Sequence, residues 1–109
     1  MARLTVTVAR SEDERLRGYL GRTEIGEDEA LLFEHTKFLH TFGMQTRIDI
    51  IFLDKSFRIV RLFNNAAPWR IYAALGAAHA LELAPGAAVR KGLVLGGVLA
   101  LERENVDVR

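Results

Sequence analysis

The chain has no cysteine, which removes disulfides, thiolate nucleophiles and thiolate-held metals together and fits a reducing compartment. Charge of one sign is missing too: fifteen Lys and Arg stand against fourteen Asp and Glu, a formal net charge of +1. That is too little to make an electrostatic platform for a phosphate backbone, so no nucleic-acid partner is expected. Nor is there a long apolar run. The amino terminus, MARLTVTVARSEDERLRG, meets acidic residues by Glu12 and reads as neither a signal peptide nor an anchor. No membrane partner is expected, and the location is read as cytoplasmic.

What is present is a chain of 109 residues, 50% hydrophobic, enough for one domain that buries a core without staples. A single domain over 1–109 is expected, with its core at about 3–102 and a tail at 103–109. RLTVTVA alternates Leu4, Val6 and Val8 with Thr5 and Thr7, the pattern of a half-buried strand. SEDE at 11–14 is a capping box, and Leu16, Tyr19 and Leu20 share one helical face, so a short helix is expected after the first strand, closed at Gly21.

Further strands are expected at ALLFE and FLHTFGM, and RIDIIFLD and RIVRLFN make a hairpin about KSF. NAAPWRIYAALGA, interrupted by Pro68, reads as a long loop with at most one helical turn. HALELAPG reads as a strand closed by a Pro-Gly turn, and VLGGVLALER as a last strand, with ENVDVR as an edge strand or a frayed end. Short strands without regular crossover helices point to a mainly β fold: an antiparallel β-sandwich or a partly open β-barrel with one short helix after the first strand.

Two acids stand out. In RIDIIFLD both faces of the strand are apolar apart from Asp49, and Glu82 sits between Leu81 and Leu83 in HALELA. An unpaired buried charge costs several kcal/mol or takes up a proton, so each acid predicts a partner. One reading is structural, each carboxylate pinning a strand to a loop. The other is functional, both acids converging on a cleft with His40 for ligand binding or proton transfer. Trp69 beside Pro68 is a candidate to stack on a ligand or partner, although such a ring more often covers the end of a core. No metal-ligand spacing joins His35, His40 and His79, so neither a metal nor a cofactor is expected.

Taken in order, GYLGR at 18–22, ALLFE at 30–34, HTFGM at 40–44, IDIIFLD at 48–54, RIV at 58–60 and LELAPG at 81–86 form a series. It resembles the prokaryotic family known as domain of unknown function 192 (DUF192), from about the first strand to Leu101. The resemblance implies a compact, mainly β domain with no agreed activity. Gly18, Gly21, Arg22, Met44, Asp49, Glu82 and Gly86 match its pattern, and Arg22 becomes a candidate partner for Asp49 or Glu82. Leu20 stands where the family usually has Met, Arg47 where Pro is common, Phe57 where the hairpin turn usually has Gly, and Gly97 where an Asp closes a Gly-Asp pair. A Gly at 57 implies a positive φ that Phe adopts only with strain, so a different turn type is expected there.

The expectation that follows is non-catalytic binding of a small polar ligand or a protein partner through a polar centre. Its candidate residues are Arg22, His40, Met44, Asp49, Glu82 and Trp69. An acid/base enzyme of hydrolase or isomerase type using Asp49 or Glu82 with His40 is the alternative, and a purely structural or assembly module is the third reading.

Overall fold

A computed structural model of the chain describes residues 4–9, 18–19, 24–100 and 102–103. The helix expected from Ser11, with Gly21 and Arg22, lies outside the described residues, as does the whole of ENVDVR. The elements are β1 (Thr5–Val8), β2 (Glu29–Glu34), β3 (Phe38–His40), β4 (Ile48–Leu53), β5 (Ile59–Ala66), β6 (Ile71–Ala73), β7 (His79–Leu83), α1 (Ala87–Arg90) and β8 (Glu102–Arg103). They form a six-stranded sheet, ordered β5-β4-β7-β2-β1-β8, and a two-stranded sheet of β3 and β6. The protein is mainly β, an open sandwich-like arrangement of two sheets that does not close into a barrel.

Strands β5, β4, β7 and β2 pair antiparallel, as expected, but β1 runs parallel to both β2 and β8. A parallel neighbour needs a connection of a dozen or more residues, and the stretch from Ala9 to Asp28 supplies it. The central strands β4 and β7 are buried along their whole length, which explains why IDIIFL and HALEL read as near-continuous apolar runs rather than alternating ones.

Two clusters cover the two faces of the large sheet. One collects Val6, Leu32, Ile51, Leu53, Leu81 and Leu83 under Ala87 and Ala88 of α1 and Leu93. The other collects Leu31, Phe33, Ile48, Ile50, Phe52 and Ala80 beneath Leu39 and Met44, with Tyr72 of the small sheet packed against it.

Three segments depart from the expectations. The segment read as a loop through Pro68 contains β6, a three-residue strand too short to show a period, held by β3 through Phe38↔Ala73, Leu39↔Tyr72 and His40↔Ile71. The strand expected over FLHTFGM stops at His40, because Thr41 turns the chain, its carbonyl accepting from the Met44 N–H at 3.1 Å. VLGGVLALER gives an isolated bridge between Arg58 and Val98 and the short β8. After the Pro-Gly turn, where no element was expected, α1 appears, and four residues are too few for helical periodicity to show in sequence.

The β4–β5 turn keeps a positive φ in spite of the Phe. Phe57 has φ 63, and the Asp54 carboxylate holds the loop by accepting from the Ser56 and Arg58 N–H groups, each at 2.9 Å. The strained backbone is offset by packing: the Phe57 ring meets the His79 ring edge-on at 5.0 Å and lies against the core. Phe57 thus adopts the positive φ that was expected of a Gly at this position.

Candidate functional site

Strand register decides where the two acids point. Asp49 lies opposite Leu83, whereas Glu82 lies opposite both Ile50 and Leu31. Directly paired residues share a face, so Asp49 faces the cluster under α1 and Glu82 faces the cluster under the small sheet. The carboxylates are on opposite sides of the sheet and do not converge.

Asp49 is fully buried and saturated by backbone amides. Its Oδ1 accepts from the N–H of Asn65 at 2.8 Å and of Gly86 at 3.0 Å, and its Oδ2 from the N–H of Ala88 at 2.8 Å. Opposite Asp49 the β4–β5 register shifts, so that Asn64 and Asn65 occupy one place in the ladder and Asn65 takes φ 55. One carboxylate therefore ties together a bulge, the left-handed turn at Gly86 (φ 83) and the first turn of α1. The helix is also tethered from outside, where Arg90 meets Glu27 in two hydrogen bonds of 2.7 Å and Lys91 pairs with Asp28.

Glu82 is 3% exposed, and its Oε1 accepts from the Tyr19 N–H at 3.2 Å. Burial pushes its pKa up to about 7, against the opposing pull of that N–H. Room for the carboxylate comes from Gly18, whose backbone has φ 53; a Cβ there would sit 2.8 Å from Oε1 and 3.2 Å from the Phe33 ring. The Gly-Tyr step at 18–19 and Glu82 thus define each other's positions.

The remaining candidates lie elsewhere. Met44 is buried in the core beneath the small sheet. His40 is exposed on the outer face of β3, while its neighbour Leu39 enters the core. Its ring stacks on Phe42 at 5.1 Å, and its Nδ1 accepts from the Phe42 N–H at 3.2 Å. His40 therefore does not join either acid. Trp69 does not cover the core: it is 68% exposed, with a left-handed backbone (φ 66) and its ring 6.3 Å from Phe42. Among the described residues no group of three or more His, Cys, Asp or Glu side chains could hold a metal.

Residues not singled out by motif form the open chemistry. A depression of about 470 Å³ lies between β5 and the start of β6, lined by Arg47, Phe63, Asn64, Asn65, Arg70 and Tyr72 among others. It contains two guanidinium groups and no carboxylate. Arg47 Nη1 donates to the Asn65 carbonyl at 2.9 Å, which fixes one cation at the rim. The Arg70 guanidinium makes no hydrogen bond to the described residues, and its backbone is held by Thr41. Phe63 packs edge-on against Tyr72 at 4.9 Å, with the Arg61 guanidinium 4.7 Å from its ring. A second depression, of about 540 Å³, has an acidic rim of Glu24, Glu27 and Glu29 with Arg90. A sequence signal for the first existed: residues 35–48 and 55–81 contain no Asp or Glu.

The model of the DUF192 family, described as an uncharacterized ACR, matches residues 1–101. The chain belongs to the DUF192 family. Its fold is shared by a solved protein of unknown function from Novosphingobium aromaticivorans, at 27% identity and a TM-score of 0.76 over 85% of this chain and 71% of that one. A second similar structure, from Sinorhizobium meliloti, is described provisionally as a transcription regulator; it is 25% identical, with a TM-score of 0.77 over 85% of this chain and 78% of that one. Among curated proteins none matches the chain.

Proposed function

We propose that this small β domain is a non-catalytic binding module, and that it takes a phosphate- or carboxylate-bearing small ligand in the depression between Arg47 and Arg70. The observation that carries the reading is the contrast in how the polar groups are engaged. Asp49 spends its carboxylate on three backbone amides in the dry interior, which leaves it no access to a substrate. Glu82 is sealed on the other face, and His40 is remote from both. Arg47 and Arg70, in contrast, face solvent from two different connections across a floor of Phe63 and Tyr72, with amide side chains at Asn64 and Asn65. Guanidinium groups suit oxyanions because they donate in a planar fork. An acid/base enzyme would need a carboxylate and an imidazole within hydrogen-bond reach of one another or of a shared water, and nothing in this arrangement supports that. A cytoplasmic setting belongs to the same proposal.

The test is titration of 15N-labelled protein with inorganic phosphate and, separately, with citrate. Saturable amide shifts confined to residues 62–72 and lost in Arg47→Ala and Arg70→Ala are expected. Shifts absent at tens of millimolar, or undiminished in both variants, would overturn the reading.

A further inference from the structure

The large sheet ends on β5, at eight residues its longest strand, and β5 is paired on one side only, by β4. On the other side the chain covers its first residue: the Ile59 N–H donates to the Gly97 carbonyl at 2.7 Å, and the Ile59 carbonyl accepts from the Gly96 N–H at 2.8 Å. Beyond Ile59 the edge is open. The Asp54 N–H donates to the Arg58 carbonyl, so by alternation Phe52 and Ile50 also turn their backbone groups toward β5, opposite Arg61 and Phe63. Leu62 and Asn64 therefore turn their N–H and C=O groups outward, where no backbone group of the described residues meets them. The open stretch is short, bounded by the covered Ile59 and by the bulge at Asn64 and Asn65, and it contains no proline to blunt it.

The depression that holds Arg47 and Arg70 lies along this open edge. Every residue from Leu62 to Ala67 lines it, and because consecutive side chains of a strand point to opposite faces, an unbroken run is reached from the edge and not from one face. Its far wall is fixed by Thr41, which is 1% exposed. The Thr41 N–H donates to the Arg70 carbonyl at 2.8 Å, its carbonyl accepts from the Trp69 N–H at 2.9 Å, and its hydroxyl donates to the Ala67 carbonyl at 2.8 Å and accepts from the Arg70 N–H at 3.0 Å. This clamp sets the backbone from which the Arg70 guanidinium and the Trp69 indole project.

Backbone and charge together select the occupant. The edge offers donors and acceptors in alternation, which another extended polypeptide matches and a phosphate chain, having acceptors only, does not. The two sides of the edge differ. Leu62 packs against the cluster under α1, whereas Phe63 belongs to the opposite face, with the Arg61 guanidinium 4.7 Å from its ring and Tyr72 at 4.9 Å. Arg70 lines the depression with Tyr72 on that second side, and residues 55–81 contain no Asp or Glu to neutralise the two guanidinium groups. A second β5 would bring the same cations against them. A strand with carboxylates on the Phe63 side and apolar side chains on the Leu62 side is complementary to both.

We propose that a short, extended acidic peptide adds as a further strand along β5, bonding to the backbone of Leu62 and Asn64 and placing its carboxylates among Arg61, Arg70 and Arg47. The inference rests on the reading of the depression as an oxyanion site and names what bears the carboxylate there. Main-chain bonds supply attachment, and the charge on one side with apolar contact on the other supplies selection.

The probe is a synthetic seven-residue peptide of alternating Glu and Val with both ends blocked, titrated into 15N-labelled protein while amide exchange is followed. Saturable shifts along 60–66 are expected, with exchange of the Leu62 and Asn64 amide protons slowed at least tenfold. A strand presents every second N–H to its neighbour, so of two peptides N-methylated at alternate residues, one should bind at least tenfold more weakly and the other within threefold of the unmethylated peptide. Arg61→Glu with Arg70→Glu, in protein that retains the wild-type melting transition, should weaken the Glu peptide at least tenfold and admit its Lys counterpart. Unchanged exchange at Leu62 and Asn64, equal binding of the two methylated peptides, or binding undiminished by the double charge reversal would each overturn the proposal. If phosphate and citrate still give shifts that Arg47→Ala abolishes, such a failure removes strand addition alone; if those anions give none either, the oxyanion reading falls with it.

Discussion

Strand β4 and the paired strands β3 and β6 break the inside–outside rule in opposite directions. In β4 a carboxylate is fully buried; on β3 and β6 a phenylalanine and an isoleucine lie in water. The first exception is accounted for within the fold, because three amides from a bulge, a turn and a helix end converge on Asp49. For the second, nothing inside the described chain supplies a cover. The difference teaches that a costly residue whose partners are all internal reports on architecture, while the exposed rings take no part in that internal accounting.

The comparison is broken most severely at Asp49. Replacing it by Ala leaves buried N–H groups of Asn65, Gly86 and Ala88 without their acceptor, and a loss of about 3–5 kcal/mol is expected in urea unfolding at neutral pH. A loss below about 1 kcal/mol would remove the architectural role assigned to this carboxylate.

The next effect is a pH dependence from Glu82. Its pKa moves from an ordinary 4.5 to about 7 on folding, so between those values the native state holds a proton that the unfolded chain releases. Stability then falls as pH rises from about 4.5 to about 7 and levels off above, by up to about 3 kcal/mol at roughly 1.4 kcal/mol per pH unit. Glu82→Gln should flatten that decline in melts collected from pH 4.5 to 8; a variant that retains the full slope assigns the dependence to another group.

Thr41→Val sharpens the boundary between the two regions, because the clamp is interior while the rings it positions are not. A loss of about 1–3 kcal/mol is expected for the missing hydroxyl bonds, with lower steady-state anisotropy of Trp69. Unchanged anisotropy would mean that Thr41 does not hold the indole.

The smallest expected change in stability is at the outer face itself. Trp69→Asn, in which Asn tolerates the left-handed backbone, should shift stability by no more than about 0.5 kcal/mol in either direction. A loss of several kcal/mol would show that the ring supports the fold after all.

Much of the frame was legible in the chain. Alternation in RLTVTVA, the apolar runs of ALLFE, RIDIIFLD and HALEL and the hairpin about KSF all correspond to strands, since burial patterns and turn chemistry are local properties. Asp49 and Glu82 were visible as anomalies for the same reason. Their partners were not, because the amides that satisfy Asp49 lie 16, 37 and 39 residues away and carry no side-chain signature. The β6 strand and α1 escaped because three or four residues hold less than a full pattern.

The sequence by itself determined that buried acids must be neutralised and that most of the chain prefers strands, both consequences of desolvation and backbone geometry within a few residues. Tertiary structure alone decided that the two acids face opposite ways, since strand register fixes the side of the sheet. It also decided that β3 and β6, far apart in the chain, share one exposed apolar face, because strand pairing joins segments whose kinship neither composition nor local pattern records.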